Sequence, residues 1–265
     1  MNLSLFKHEI KSNSKLLALF LAIITLYGSI ITLMYDPKLG ESMNRLAQSM
    51  PELFAAFGMK DPGSTMISFL ANYLYGFILI LIPFIFSLIL AYKLIGKYLS
   101  NGSFAYLLNS NVSRTEIFFT QLLTAFLNIL VLLLYTVGLV VLISELKFPG
   151  DLDIGKFMIL NGCLLILQCF FLSVCFFCAI SWDDTKYSMG IASIVGFGSI
   201  LIQMLSQVNS NTEFLEYFTP LTLFKPFDII SGQSQSYLMV GILSFITIMI
   251  LIISVVRFKR RNLFL

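Results

Sequence analysis

Hydrophobic positions along this chain run in long uninterrupted blocks, and the polar positions fall between them. Six stretches contain no Asp, Glu, Lys, Arg or His: Leu16 to Met34, Ile67 to Tyr92, Phe118 to Ile143, Phe157 to Ile180, Ser188 to Leu205 and Tyr237 to Val256. At a rise of about 1.5 Å per residue each can cross a hydrocarbon core of about 30 Å as a helix. A helix is demanded there because lipid offers no hydrogen-bond partner to an open backbone. The pattern predicts an all-α integral membrane protein with six transmembrane helices, one domain over residues 1–265. Leu16 to Met34 follows Lys7, Lys11 and Lys15 as the core of a signal peptide does, but it is long and lacks a clear small-x-small cleavage site; we read it as a retained first span.

The polar connections set the orientation. With both termini in the cytoplasm, that side holds Lys7, Lys11, Lys15, Lys93, Lys97, Arg114, Lys186, Arg257, Lys259, Arg260 and Arg261, while the other holds six Lys/Arg against ten Asp/Glu. The excess of Lys/Arg marks the cytoplasmic face. The net charge of +3 thus divides into a basic inner and an acidic outer face and gives no reason to invoke nucleic acid. Composition agrees: 58% of residues are hydrophobic, 26 are Phe and only 12% are charged, which leaves no room for a soluble domain.

Several chemistries lack their residues. The nearest fragment to a triphosphate-binding loop, Gly96-Lys97, has neither the earlier Gly nor the following Ser or Thr. The chain has no H-E-x-x-H and no G-x-S-x-G, and its one His, His8, lies outside every span. Spans without ionisable groups also argue against a proton- or sodium-coupled carrier, which commonly places such groups at membrane depth. Energy for uphill transport must then arrive from another subunit. Cys163, Cys169, Cys175 and Cys178 all fall in the fourth span, the last two as C-x-x-C. Metal or redox use needs an accessible thiolate; set among Phe176 and Phe177 inside lipid, these thiols read as reduced packing groups.

One polar interval carries more signals than a connection needs, "NGSFAYLLNSNVSRTEIFFTQLL" over residues 101–123. After the turn signal Asn101-Gly102, Ser103 is an N-cap, and Phe104, Leu107 and Leu108 share one face of a short amphipathic helix. Asn109 to Asn111 breaks it. Ser113-Arg114-Thr115-Glu116 then forms a capping box that opens the third span, with Val112 and Ile117 as its hydrophobic staple. Two caps also serve simply to end and start membrane helices, but a two-turn helix is unstable in water and needs lipid headgroups or a partner's groove to lie on.

Gly102-Ser103, Leu107-Leu108 and Val112-Ser113-Arg114 resemble the segment before the third span in permease subunits of the type-2 ATP-binding cassette (ABC-2) exporter superfamily. Ser103 stands where Thr is usual there, Asn111 where Pro is usual, and Gln121 where Lys often sits. Looser likenesses follow in order: "FKHEIKSNSK" is similar to an interfacial elbow helix within residues 1–15, "MPELFAAFGM" from Met50 to a segment of the first outer connection, and "FTPLTLFKPFDIISG" from Phe218 to short helices before the last span. The resemblance implies a twelve-span unit built with a second copy or a paralogue. Two separate cytoplasmic ATPase subunits, which bind ATP and magnesium, would dock beneath it, and this chain would hold no cofactor and hydrolyse nothing itself. Residues 101–116 would be the coupling segment, with Ser103, Phe104, Leu107 and Leu108 in an ATPase groove and Arg114 and Glu116 at its rim; an interfacial or lipid-phosphate role for Arg114 stays open.

Polar stripes mark where substrate could pass. Gln121, Thr124, Asn128 and Tyr135 share a face of the third span; Asn161, Gln168 and Cys175 recur every seven residues in the fourth; Ala192, Gly196, Ser199 and Gln203 follow one side of the fifth. Such stripes turn away from lipid, to pack helices or to line a path. For the path the candidates are Asn128, Tyr135, Gln168 and Gln203. Pro83 kinks the second span as a gate or as shape, and Trp182-Asp183-Asp184 is either a second ATPase contact or a membrane anchor. The outer connection, residues 206–236, is apolar enough to dip into the outer leaflet and cap the pathway. The expected function is the permease subunit of an ATP-driven exporter of hydrophobic or amphipathic cargo in a bacterial plasma membrane. A non-transporting scaffold or immunity protein is the alternative, and a membrane enzyme built on the Cys pair a third reading.

Overall fold

The computed structural model describes residues 2–36, 49–50, 65–100, 113–182, 184–208 and 210–261. Six helices in it are long and apolar enough to cross a membrane: α1 (Leu3–Met34), α2 (Met66–Ser100), α3 (Arg114–Lys147), α4 (Ile154–Ser181), α5 (Thr185–Val208) and α6 (Ser234–Arg260). The chain is an all-α, multi-pass membrane protein. Each helix contains one expected span, and all but α1, which ends with its span at Met34, run beyond it at both ends, because helical hydrogen bonding continues into the flanking polar and charged residues. Side chains cap four starts: Asn2 accepts from the Leu5 N–H, Thr65 from Ser68, Ser113 from Glu116 and Asp153 from Lys156, each filling a donor that a helix start leaves open.

Residues 3–34 form one unbroken helix, so no break sets off an elbow within 1–15 from the first span. The sequence explains the continuity. Glu9, Asn13, Phe20, Ile24, Gly28 and Ile31 lie along a single buried stripe that crosses the supposed joint, and Lys7, Lys11 and Lys15 fall outside it.

α4 is the axis of the bundle. Of its apolar window 72% is buried inside the molecule, against 22% for α6, and it packs on α2, α3, α5 and α6. α1 lies against α3 on the flank. Both described ends meet the start of α3: the Asn2 N–H donates to Thr120 Oγ1 at 3.1 Å, and Arg114 Nη1 donates to the Arg261 carbonyl at 2.7 Å. They therefore lie at the same, basic end.

α2 is the irregular member. It contains two π-helical turns, Leu74–Ile78 and Tyr92–Gly96, and Pro83 between them. Proline has no N–H for the carbonyl four residues back, here that of Leu79. Gln168 of α4 fills the gap, its Nε2 donating to the Leu79 carbonyl at 2.9 Å and to that of Ile80 at 3.3 Å. One turn on, the tip of the Phe84 ring occupies the space over Gly196 of α5, where an added Cβ would collide with Cζ and both Cε atoms. Gly196 is thus glycine because Phe84 occupies the space.

At the acidic end, Tyr35 stands edge-on to Phe69 and Phe148 with centroids at 5.6 and 5.2 Å. Burial, with the Asp151 charge nearby, pushes its phenol above the ordinary value. Between α5 and α6 the chain folds into 3-10 turns (Ser210–Phe218, Pro220–Leu223) and a helical turn (Pro226–Ile230). There Leu221, Phe224 and Ile229 point inward, while Phe214, Tyr217 and Phe218 are exposed.

Candidate functional site

Ser103, Phe104, Leu107 and Leu108 lie outside the described residues, as does the segment after Met50; α2 ends at Ser100 and α3 opens at Ser113. At the head of α3 Ser113 Oγ accepts from the Glu116 N–H at 3.2 Å, the expected cap. Arg114 has a definite job: Nη1 donates to the carbonyls of Arg261 and Lys259 at 2.7 and 3.4 Å. These belong to the end of α6, where open carbonyls and the helix dipole favour a cation. Arg261 in turn donates to the carbonyls of Ile180 and, at 3.2 Å, of Trp182, and Arg257 donates to that of Ser181 at 3.3 Å. The Arg257 guanidinium also lies 6.0 Å from the Phe177 ring centroid. Three arginines thus bind the ends of α3, α6 and α4 to one another.

Beside them is a group with no counterpart in the expected site. Glu9 of α1 is 3% exposed. Its Oε1 accepts from Tyr98 Oη at 2.6 Å and from Gln121 Nε2 at 3.3 Å, and its Oε2 from Asn13 Nδ2 at 3.4 Å. No lysine or arginine pairs with it among the described residues. Neutral donors from three helices satisfy a buried carboxylate, which is costly to bury without them. Tyr98 stands near the end of α2 and Gln121 in the second turn of α3, so one carboxylate ties α1 to both ends of the 101–112 interval. Sequence reasoning passed over Glu9 because it sits among lysines; its spacing to Asn13, Phe20 and Ile24 was the available signal.

The four pathway candidates do not converge. Asn128 is buried and donates to the Thr124 carbonyl of its own helix at 2.8 Å. Tyr135 is partly exposed on the α1 side, its hydroxyl 2.7 Å from Thr25 Oγ1. Gln168 is the buried partner of the Leu79 and Ile80 carbonyls. Gln203 borders a cavity of about 100 Å³ at the acidic end, between α2, α5 and the 210–230 turns. Tyr75, Phe77 and Ile80 form one wall, Gln203 and Gln207 another, and Leu221 and Phe224 a third. Glu216, Lys225 and Asp228 also line it, with Lys225 Nζ 3.3 Å from Glu216 Oε2. Thr222 Oγ1 approaches Gln203 Oε1 at 3.5 Å.

A second cavity, about 230 Å³ and almost wholly apolar, opens between α3, α4 and α6 beside Phe119, Phe126, Cys169 and Leu251. All four cysteines are free thiols, with Cys175 and Cys178 buried. Among the described residues no cluster of His, Cys, Asp and Glu could hold a metal ion. No family model matches the chain, and no curated protein or solved structure does.

Proposed function

We propose that this chain is the permease subunit of an ATP-driven exporter of the ABC-2 kind, in a bacterial plasma membrane with both termini cytoplasmic. It forms the translocation path with a second copy or a paralogue, for hydrophobic or amphipathic cargo. The reading rests on the resemblance carried by Gly102-Ser103, Leu107-Leu108 and Val112-Ser113-Arg114. One structural observation supports it above the others: the helices on either side of residues 101–112 are both fixed to Glu9, through Tyr98 and Gln121, and the head of the second is tied to the end of α6 by Arg114. A segment that receives force from a soluble partner needs a stiff mounting, and this one has it. ATP and magnesium belong to the separate ATPase, whose groove takes Phe104, Leu107 and Leu108.

Co-expression with the ATPase encoded beside it tests the reading. The pair should purify as a complex that hydrolyses ATP, and Phe104→Asp combined with Leu108→Asp should abolish the complex while leaving the permease in the membrane. A wild-type yield of complex and wild-type export from that double variant would refute it.

A further inference from the structure

The cavity at the acidic end has an unbalanced charge. Of the three ionised side chains on its wall, Glu216 and Lys225 neutralise each other at 3.3 Å. Asp228 is left over: among the described residues its carboxylate takes part in no hydrogen bond or ion pair. Its backbone carbonyl is what the described residues use, accepting from Ser231 Oγ at 3.0 Å, from the Gln233 N–H at 3.1 Å and from Ser236 Oγ at 3.3 Å. Those bonds fix the position of the residue and leave its charge free. The surroundings are aromatic and aliphatic, with Phe77, Phe224 and Phe227 on the wall and Ile80 and Leu221 alongside. The space of about 100 Å³ is several times the 10–15 Å³ that one water needs by the same kind of measure.

We propose that this cavity binds a cationic amphiphile, with an ammonium or quaternary ammonium head at Asp228 and an apolar tail between α2 and α5. The chemistry follows from the lining. A carboxylate and aromatic residues lining one cavity suit a cation, which charge and ring electrons both attract, and the attraction is screened less at the edge of a low-dielectric bundle than in open water. An anionic amphiphile meets Asp228 unshielded and finds Lys225 already engaged. The apolar walls take a hydrocarbon tail, and Gln203 and Gln207 give neutral polar contacts at the end of α5, the usual composition of a small-molecule site. That the ligand is exported cargo rests on the exporter reading; its binding does not.

The test uses the full chain alone, in nanodiscs of phosphatidylcholine, with dodecyltrimethylammonium and dodecyl sulfate as probes of equal tail length and opposite charge. Above the partitioning into empty nanodiscs, the ammonium should bind saturably and the sulfate at least tenfold more weakly. Asp228→Asn should weaken ammonium binding tenfold or more, and Asp228→Glu should hold it within threefold. Because the Asp228 carboxylate has no partner among the described residues, neither variant should shift the melting temperature, which shows that the fold is intact. Equal binding of the two probes, an unaltered Asp228→Asn variant or the absence of saturable binding each overturns the proposal. None of these outcomes bears on complex formation with an ATPase, so the two readings fail separately.

Discussion

Glu9 shows how one side chain takes its meaning from three helices. Replacing it by Ala leaves the Tyr98 hydroxyl and the Gln121 amide without their acceptor, at about 1–3 kcal/mol for a buried polar group so stranded. Glu9→Ala should therefore lower the melting temperature in detergent clearly, and Glu9→Gln, which still offers an oxygen, by less than half as much. Equal losses would mean that the carboxylate is not the joint described. Gln168 supports a different defect, the carbonyl left open by Pro83. Gln168→Leu, close in volume and without the amide, should cost a similar amount, and Pro83→Ala in the same chain should recover part of it by restoring the N–H to Leu79. The Arg114 contacts had no signature in the sequence, since their acceptors are backbone carbonyls, which every residue owns. The Ser113 cap was legible because its donor lies three residues along the same chain.

At the scale of elements, the six spans were readable from the spacing of charged residues alone, for lipid tolerates neither charge nor open backbone. Their ends were not, because a helix does not stop where its residues become polar. The elbow is the instructive case: lysines at positions 7, 11 and 15 divide the sequence into a polar and an apolar part, yet the buried stripe through Glu9, Asn13, Phe20 and Ile24 runs across the division. The π turns of α2 were hidden for the opposite reason, since an apolar residue at almost every position carries no phase. Contact between α2 and α5 depends on Gly196 beneath Phe84. Gly196→Ala should overpack this crossing by about 1–3 kcal/mol. Adding Phe84→Leu should return most of the loss, as measured by thermal unfolding of the double variant; additive losses would show that the two residues do not meet.

For the whole molecule, the sidedness of charge makes a prediction independent of any partner. In a cysteine-free background, single cysteines at Lys97 and Lys186 should react with a membrane-impermeant maleimide only from the cytoplasm, and cysteines at Lys156 and Tyr217 only from outside. Removal of the native thiols should itself be mild, because Cys175→Ser and Cys178→Ser change packing and no chemistry; a loss of function beyond the loss of stability would revive a role for the pair. The π turns bear on how this chain tolerates changes of length. Each wider turn holds one residue more than an α-turn needs, so α2 carries a surplus at Leu74–Ile78 and another at Tyr92–Gly96. Deleting one residue from the first should close a regular helix and keep everything outward of it nearly in phase, because four residues of an α-turn sweep about the same angle as the five of the π turn. An inserted residue has no such slack to enter and would rotate that end by about 100°, taking Phe69 from its place against Tyr35, where the ring centroids are 5.6 Å apart. A deletion there and an insertion there are unequal errors: the first mends the local hydrogen bonding and leaves the helix end where it was, whereas the second overfills a turn already wide and misdirects that end.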